Sequence, residues 1–222
     1  MTLAVLSTLA MKGVLEDAAP QGASLRFHST QALLESIAGG EKADVVILTS
    51  EGIDKLIAQG VARGKIDVGS SGVGLAVRAG AKKPDLSTVA ALEQALLSAA
   101  SVAHSRSGAS GLYFAGLLER RGWDRKLKKR VIVEKGPVAA VVASGEAEIG
   151  VQLLCELAPV AGIDIVGPFP DEVQNLSRFS AAVMRPCAEA DAFMAFLRSP
   201  AVESAMLRNL FIPAPSSRRP PG

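Results

Sequence analysis

Aromatic side chains are scarce in this chain: seven Phe, one Tyr and one Trp among 222 residues. Without aromatics interleaved among basic residues, there is no platform on which nucleic-acid bases could stack. Cysteine is scarcer still. Cys155 and Cys187 form no C-x-x-C pair and have no histidine at metal-ligand spacing. Both read as small apolar core or near-surface residues, with their redox state left open. Long apolar runs are missing, so no membrane insertion is expected. A large charge excess is missing too: 24 Lys and Arg against 22 Asp and Glu leave a net charge of +2. That balance excludes a strongly basic nucleic-acid binder. The longest basic stretch, residues 120–130, reads as a helix end and solvated connector, with Gly122 placed to stop the helix. Carboxylates do not gather at metal-ligand spacing and no Ser/His/Asp arrangement stands out. Neither a metal nor a cofactor is expected.

What is present is a recurring junction, in which a short β-rich run stops and a small polar segment opens a helix. Ser7-Thr8 follows Leu3-Ala4-Val5-Leu6, His28-Ser29-Thr30 follows Leu25-Arg26-Phe27, and Ser105-Arg106-Ser107-Gly108 follows Ser101-Val102-Ala103. Unpaired N–H groups and the positive end of the helix dipole meet at each such start. Several of these ends converging on one crevice would receive a small anion with few formal charges.

The alternation continues along the chain and predicts an α/β fold with mostly parallel sheets flanked by helices. Strands are expected at 3–6, 24–27, 43–48, 69–78, 101–103, 131–134, 148–152, 163–167 and 180–185. Helices are expected at 11–19, 30–38, 53–59, 87–98, 111–121, 138–143, 153–158, 188–197 and 200–207. The pattern restarts near Lys82-Lys83-Pro84-Asp85. This predicts two lobes, residues 1–78 with 170–212 and residues 79–169, with the crevice between them and hinged closure as the motion. The Pro/Ser/Arg-rich residues 213–222 read as a disordered tail.

Leu3-Ala-Val-Leu-Ser-Thr-Leu, Phe27-His-Ser-Thr-Gln-Ala-Leu-Leu and Ala43-Asp-Val-Val-Ile-Leu-Thr occur here in order. Ser110-Gly-Leu-Tyr-Phe, Leu117-Leu-Glu-Arg-Arg-Gly-Trp and Gly145-Glu-Ala-Glu-Ile-Gly follow them. Across residues 2–210 the ordered set resembles the type II periplasmic solute-binding proteins, in the molybdate-binding branch, which includes aconitate-isomerase-like relatives. The resemblance implies a two-lobed fold whose crevice holds an oxyanion by hydroxyls and backbone amides. It places Ser7 and Thr30 at the first lobe's hydroxyl ligands, and Ser110 and Lys135 at the second lobe's main-chain N–H donors. The branch's oxyanion-binding tyrosine falls at Leu153, beside Gln152, and leucine cannot donate a hydrogen bond.

The candidate ligand-binding set is therefore Ser7, Thr8, Ser29, Thr30, Ser105, Arg106, Ser107, Ser110, Lys135 and Gln152. Ser7 and Thr30 read equally as helix N-caps, a role compatible with ligand contact. Arg106 is the candidate charge, because a guanidinium fork matches a carboxylate whereas tetrahedral metal oxyanions are satisfied by neutral donors. Arg78 reads as structural, and the Gly72–Gly74 stretch reads as a backbone crossing between lobes rather than a phosphate loop. His28 and His104 each end a β run before a polar helix start, in equivalent positions.

Two functions stay open at this point. The first is binding of a small anion, oxyanion or carboxylate, with an ABC permease as partner if the chain is exported. The second is isomerisation of a small unsaturated polycarboxylate, with His28 and His104 as acid and base. The start Met1-Thr2-Leu3 lacks a basic, apolar leader. It is read as a cytoplasmic chain, or as the trimmed mature form of a periplasmic one.

Overall fold

Short β runs alternate with helices, two of them capped directly after a strand by Ser29 and Thr49, and this alternation sets the order of elements. The structure is a computed structural model, and it describes residues 2–18, 22–134 and 136–215. In chain order these are β1 (Leu3–Thr8), α1 (Lys12–Ala18), β2 (Ala23–His28), α2 (Thr30–Ala38), β3 (Val45–Thr49), α3 (Ser50–Ala58) and β4 (Arg63–Arg78). Next come α4 (Val89–Ser98), β5 (Val102–Ser105), α5 (Ala109–Arg121), β6 (Arg130–Val133), α6 (Val138–Ala143), β7 (Ile149–Leu153), α7 (Leu154–Leu157) and β8 (Ile163–Pro168). The chain closes with β9 (Leu176–Val183), α8 (Ala188–Phe196), α9 (Pro200–Arg208) and β10 (Ile212–Pro213).

The chain divides into two compact units, Met1–Ser70 with Arg178–Gly222, and Ser71–Ser177. Both divisions fall inside strands, β4 and β9, rather than at residues 78 and 170. The composition break near Lys82 marks only where β4 stops. β4 also begins earlier than expected, at Arg63, and β9 begins at Leu176 rather than at 180.

In the first unit β1 pairs in parallel with β2 and β3, and β9 runs antiparallel to β3. All four of Val45, Val46, Ile47 and Leu48 are fully buried, as a central strand covered on both faces requires. By contrast β2 alternates half-buried and exposed positions, as suits an edge strand. Leu6, Val46 and Leu48 pack against Leu33 and Ile37 of α2 and Ile53 and Leu56 of α3. Each such leucine contributes roughly 2 kcal/mol through burial. The buried Asp44 anchors the far end of this sheet. It accepts from the Ala4 N–H at 2.8 Å and from Arg185 Nε at 2.6 Å. Residues 213–215 are not a loose tail: Pro213 pairs with Gly69 in the β10–β4 ladder, and the Ala214 N–H reaches the Val68 carbonyl. Residues 216–222 lie outside the described residues.

In the second unit β5 pairs in parallel with β6 and β7, while β7 and β8 run antiparallel to the second half of β4. Ala103, Val133 and Val138 form one apolar cluster, and Ala76, Ala139 and Leu157 form another. Gly72 and Gly74 lie within β4 because neighbours approach closely. A Cβ on Gly72 would stand 3.1 Å from the Gln174 amide, and one on Gly74 would overlap Leu154. Gln174 works as a stand-in strand here, accepting from the Val73 N–H at 2.7 Å and donating to the Val73 and Phe169 carbonyls.

Candidate functional site

Parallel strands deliver their polar C-terminal residues to one edge of the sheet, and ligand sites of α/β proteins form there. In the first unit that edge holds Ser7-Thr8, His28-Ser29-Thr30 and Thr49-Ser50 after β1, β2 and β3. Thr8 stands opposite His28, and Ser7 opposite Ile47. The loops after β2 and β3 touch across the end of β1, because Thr30 Oγ1 accepts the Thr49 N–H at 3.2 Å. Gly52 permits this approach. A Cβ there would stand 2.9 Å from Thr30 Cγ2.

The caps are Ser29 and Thr49, not Ser7 and Thr30. Ser29 Oγ accepts the Ala32 N–H and Thr49 Oγ1 accepts the Gly52 N–H, each at 3.3 Å. Thr30 sits one residue inside α2, so its hydroxyl faces the neighbouring loop. Ser7 is fully buried, and its hydroxyl donates to the Thr8 carbonyl at 3.2 Å. Thr8 precedes a 3-10 turn and makes no side-chain cap bond. A hydroxyl that accepts an N–H still has its own proton to give. Ser29, Thr30 and Thr49 each accept a main-chain N–H, which leaves the hydroxyl proton of each uncommitted by that bond. Next to them runs a chain of three polar groups. Ser50 Oγ lies 2.8 Å from Ser180 Oγ, which donates to Asp67 Oδ1 at 2.9 Å.

In the second unit Ser105 stands opposite Val133 at the ends of β5 and β6. The first turn of α5 lies directly on Ser105. A Cβ on Gly108 would come within 2.6 Å of Ser105 Oγ, and one on Gly111 would overlap the Ser105 carbonyl. These two glycines are there for close approach, and they bring Ser107 and the buried Ser110 to the sheet edge. Arg106 donates through Nε to both oxygens of Glu134 at 2.6 Å, in an exposed pair. The pairing holds the Glu134 carboxyl below its ordinary range. Lys135 lies outside the described residues.

Gln152 is buried and bridges two elements. Its Oε1 accepts the Ala139 N–H at 3.3 Å in the first turn of α6, and its Nε2 donates to Glu156 Oε2 at 2.8 Å. Burial pushes the Glu156 carboxyl up to about 7, against the opposing hydrogen bond from Gln152. Sequence reasoning missed Glu156, Glu134, Thr49 and Ser50. The i, i+4 spacing from Gln152 to Glu156 and the Thr49-Ser50 pair at a strand end were the available signals.

The histidines are not equivalent. His28 is exposed, with Nδ1 accepting the Ser29 N–H at 2.9 Å. His104 lies within β5 and is 2% exposed. Its Nδ1 is 2.9 Å from the Ser105 carbonyl, Arg130 Nε donates to its Nε2 at 2.7 Å, and Phe114 packs edge-on against its ring. Burial, followed by the charges of Arg130 and Arg106 acting against the Ser105 bond, lowers its basicity.

Residues 5–209 match the family described as bacterial extracellular solute-binding proteins. The chain belongs to this family. An aconitate isomerase from Pseudomonas sp. is 39% identical over 213 residues, 89% of this chain and 81% of that protein. The periplasmic molybdate-binding protein of Azotobacter vinelandii superposes with a TM-score of 0.72 at 21% identity, covering 95% of this chain and 98% of that one. A tungstate-binding protein of Desulfovibrio alaskensis G20 superposes with a TM-score of 0.60 at 17% identity, covering 96% and 98%. The fold is that of the periplasmic binding proteins. No helix among the described residues is long and apolar enough to cross a membrane.

Proposed function

We propose that the chain binds a small polycarboxylate anion through the hydroxyl- and amide-bearing strand ends of its sheets. The observation that carries this reading is the donor state of Ser29, Thr30 and Thr49, each of which takes a main-chain N–H and keeps an O–H proton for a ligand. Two further features favour carboxylate over molybdate or tungstate. Leu153 stands where the resembled branch has its tyrosine, with Gln152 beside it, and the Arg106 guanidinium already grips a carboxylate, that of Glu134. A melting curve tests the reading. Propene-1,2,3-tricarboxylate should raise the melting temperature by mass action, and molybdate should leave it unchanged.

A second reading goes further: the bound polycarboxylate is isomerised. The relative at 39% identity favours it, as does a carboxyl poised near neutrality at Glu156. The reaction would take a proton from a saturated carbon beside the double bond and return one at the far end of the allylic system. The exposed His28 suits proton transfer better than His104, whose Nε2 is occupied by Arg130. Uptake of solvent deuterium into the bound acid, followed by NMR, distinguishes the readings. Exchange supports isomerisation; tight binding without exchange leaves binding alone, with an ABC permease as the partner.

A further inference from the structure

The chain Asp67–Ser180–Ser50 has a fixed direction. A carboxylate has acceptor oxygens only, and a hydroxyl has one proton. Ser180 gives that proton to Asp67 Oδ1, so in the 2.8 Å contact between the two serines Ser50 must be the donor. Ser180 is fully buried, so bulk water has no access to it. Ser50 is thus left with lone pairs and no proton to offer. It is the counterpart of Ser29, Thr30 and Thr49, which keep theirs. Its neighbour in sequence, Thr49, is tied to Thr30 through the Thr49 N–H.

We infer that Ser50 selects a ligand that brings a hydrogen-bond donor to this point of the rim, namely a hydroxyl beside the carboxylates. This rests on the polycarboxylate reading and narrows it to hydroxy-polycarboxylates as the preferred ligands. A fully deprotonated acid without a hydroxyl meets only lone pairs at Ser50, with the Asp67 charge behind them. Ser180 is a positioning residue, acting by setting the direction of the proton in Ser50.

Calorimetric titration of the full chain with propane-1,2,3-tricarboxylate and its 2-hydroxy analogue tests this. The wild type should prefer the hydroxy acid by about tenfold, roughly the gain of one buried hydrogen bond. Ser50→Ala should bring the ratio to about one. Ser180→Ala frees the Ser50 proton, so the ratio should fall while the affinity for the plain acid rises, an effect that lost packing would not produce. Equal affinity of the wild type for both acids, or a preference that survives Ser50→Ala, overturns the inference and leaves the polycarboxylate reading standing. Failure of the wild type to bind either acid overturns both.

Discussion

Thr30 and Thr49 are joined by a 3.2 Å hydrogen bond from the Thr49 N–H to the Thr30 hydroxyl. That one contact connects the helix starts that follow β2 and β3. Replacement by valine keeps the shape and removes the hydroxyl. Thr30→Val should destabilise the protein by about 1 kcal/mol, the usual value of one such bond. Affinity for a tricarboxylate should drop by about tenfold or more. Chemical denaturation read beside calorimetry checks both; a variant with native affinity would remove Thr30 from the binding rim.

Arg106 and Glu134 are both exposed, so their ion pair adds little to stability. On the proposed reading its consequence lies in competition, because Glu134 occupies the Arg106 fork. Glu134→Gln should leave the melting temperature within a degree or two and tighten tricarboxylate binding severalfold. Arg106→Gln should weaken it. Unchanged affinity in both variants would show that Arg106 makes no ligand contact.

Glu156 gives a pH signature of defined sign. Its carboxyl is raised from 4.5 to about 7, so between these values the folded chain holds a proton that the unfolded chain has lost. Stability should therefore fall as pH rises from about 4.5 to 7 and level off above. In Glu156→Gln that fall should be absent. Melting temperatures of both proteins across this range supply the check, and identical profiles would contradict the assignment.

His104 acts in the opposite sense. Burial lowers its basicity from the ordinary 6.5, so the folded state resists protonation there. The stability gained from its neutral form is present in full above about pH 6.5 and is lost as pH falls from there through its lowered value. His104→Gln should flatten the acid side of the profile, measured by melting between pH 4 and 7. An unaltered acid limb would mean the histidine is freely solvated.

Much of the fold was legible because short β runs alternate with helices that carry an apolar face, as in Leu33, Leu34 and Ile37. The resemblance across residues 2–210 and the family match across 5–209 lead to the same architecture. What was not legible depended on side-chain direction. Ser7 and Thr30 looked like caps, yet the caps are Ser29 and Thr49, since a one-residue shift in where a helix begins turns the hydroxyl to a different partner. The two histidines looked equivalent until the register placed His104 inside β5, opposite Val151. Long-range partners such as Asp67 with Ser180, or Arg106 with Glu134, leave no trace in local spacing.

Isothermal titration of the wild-type chain with propene-1,2,3-tricarboxylate and, separately, with molybdate tests the central claim most directly. The account expects saturable one-site binding of the tricarboxylate, weakened in Thr30→Val, and no heat from molybdate. Tight binding of molybdate with none of the tricarboxylate would contradict it.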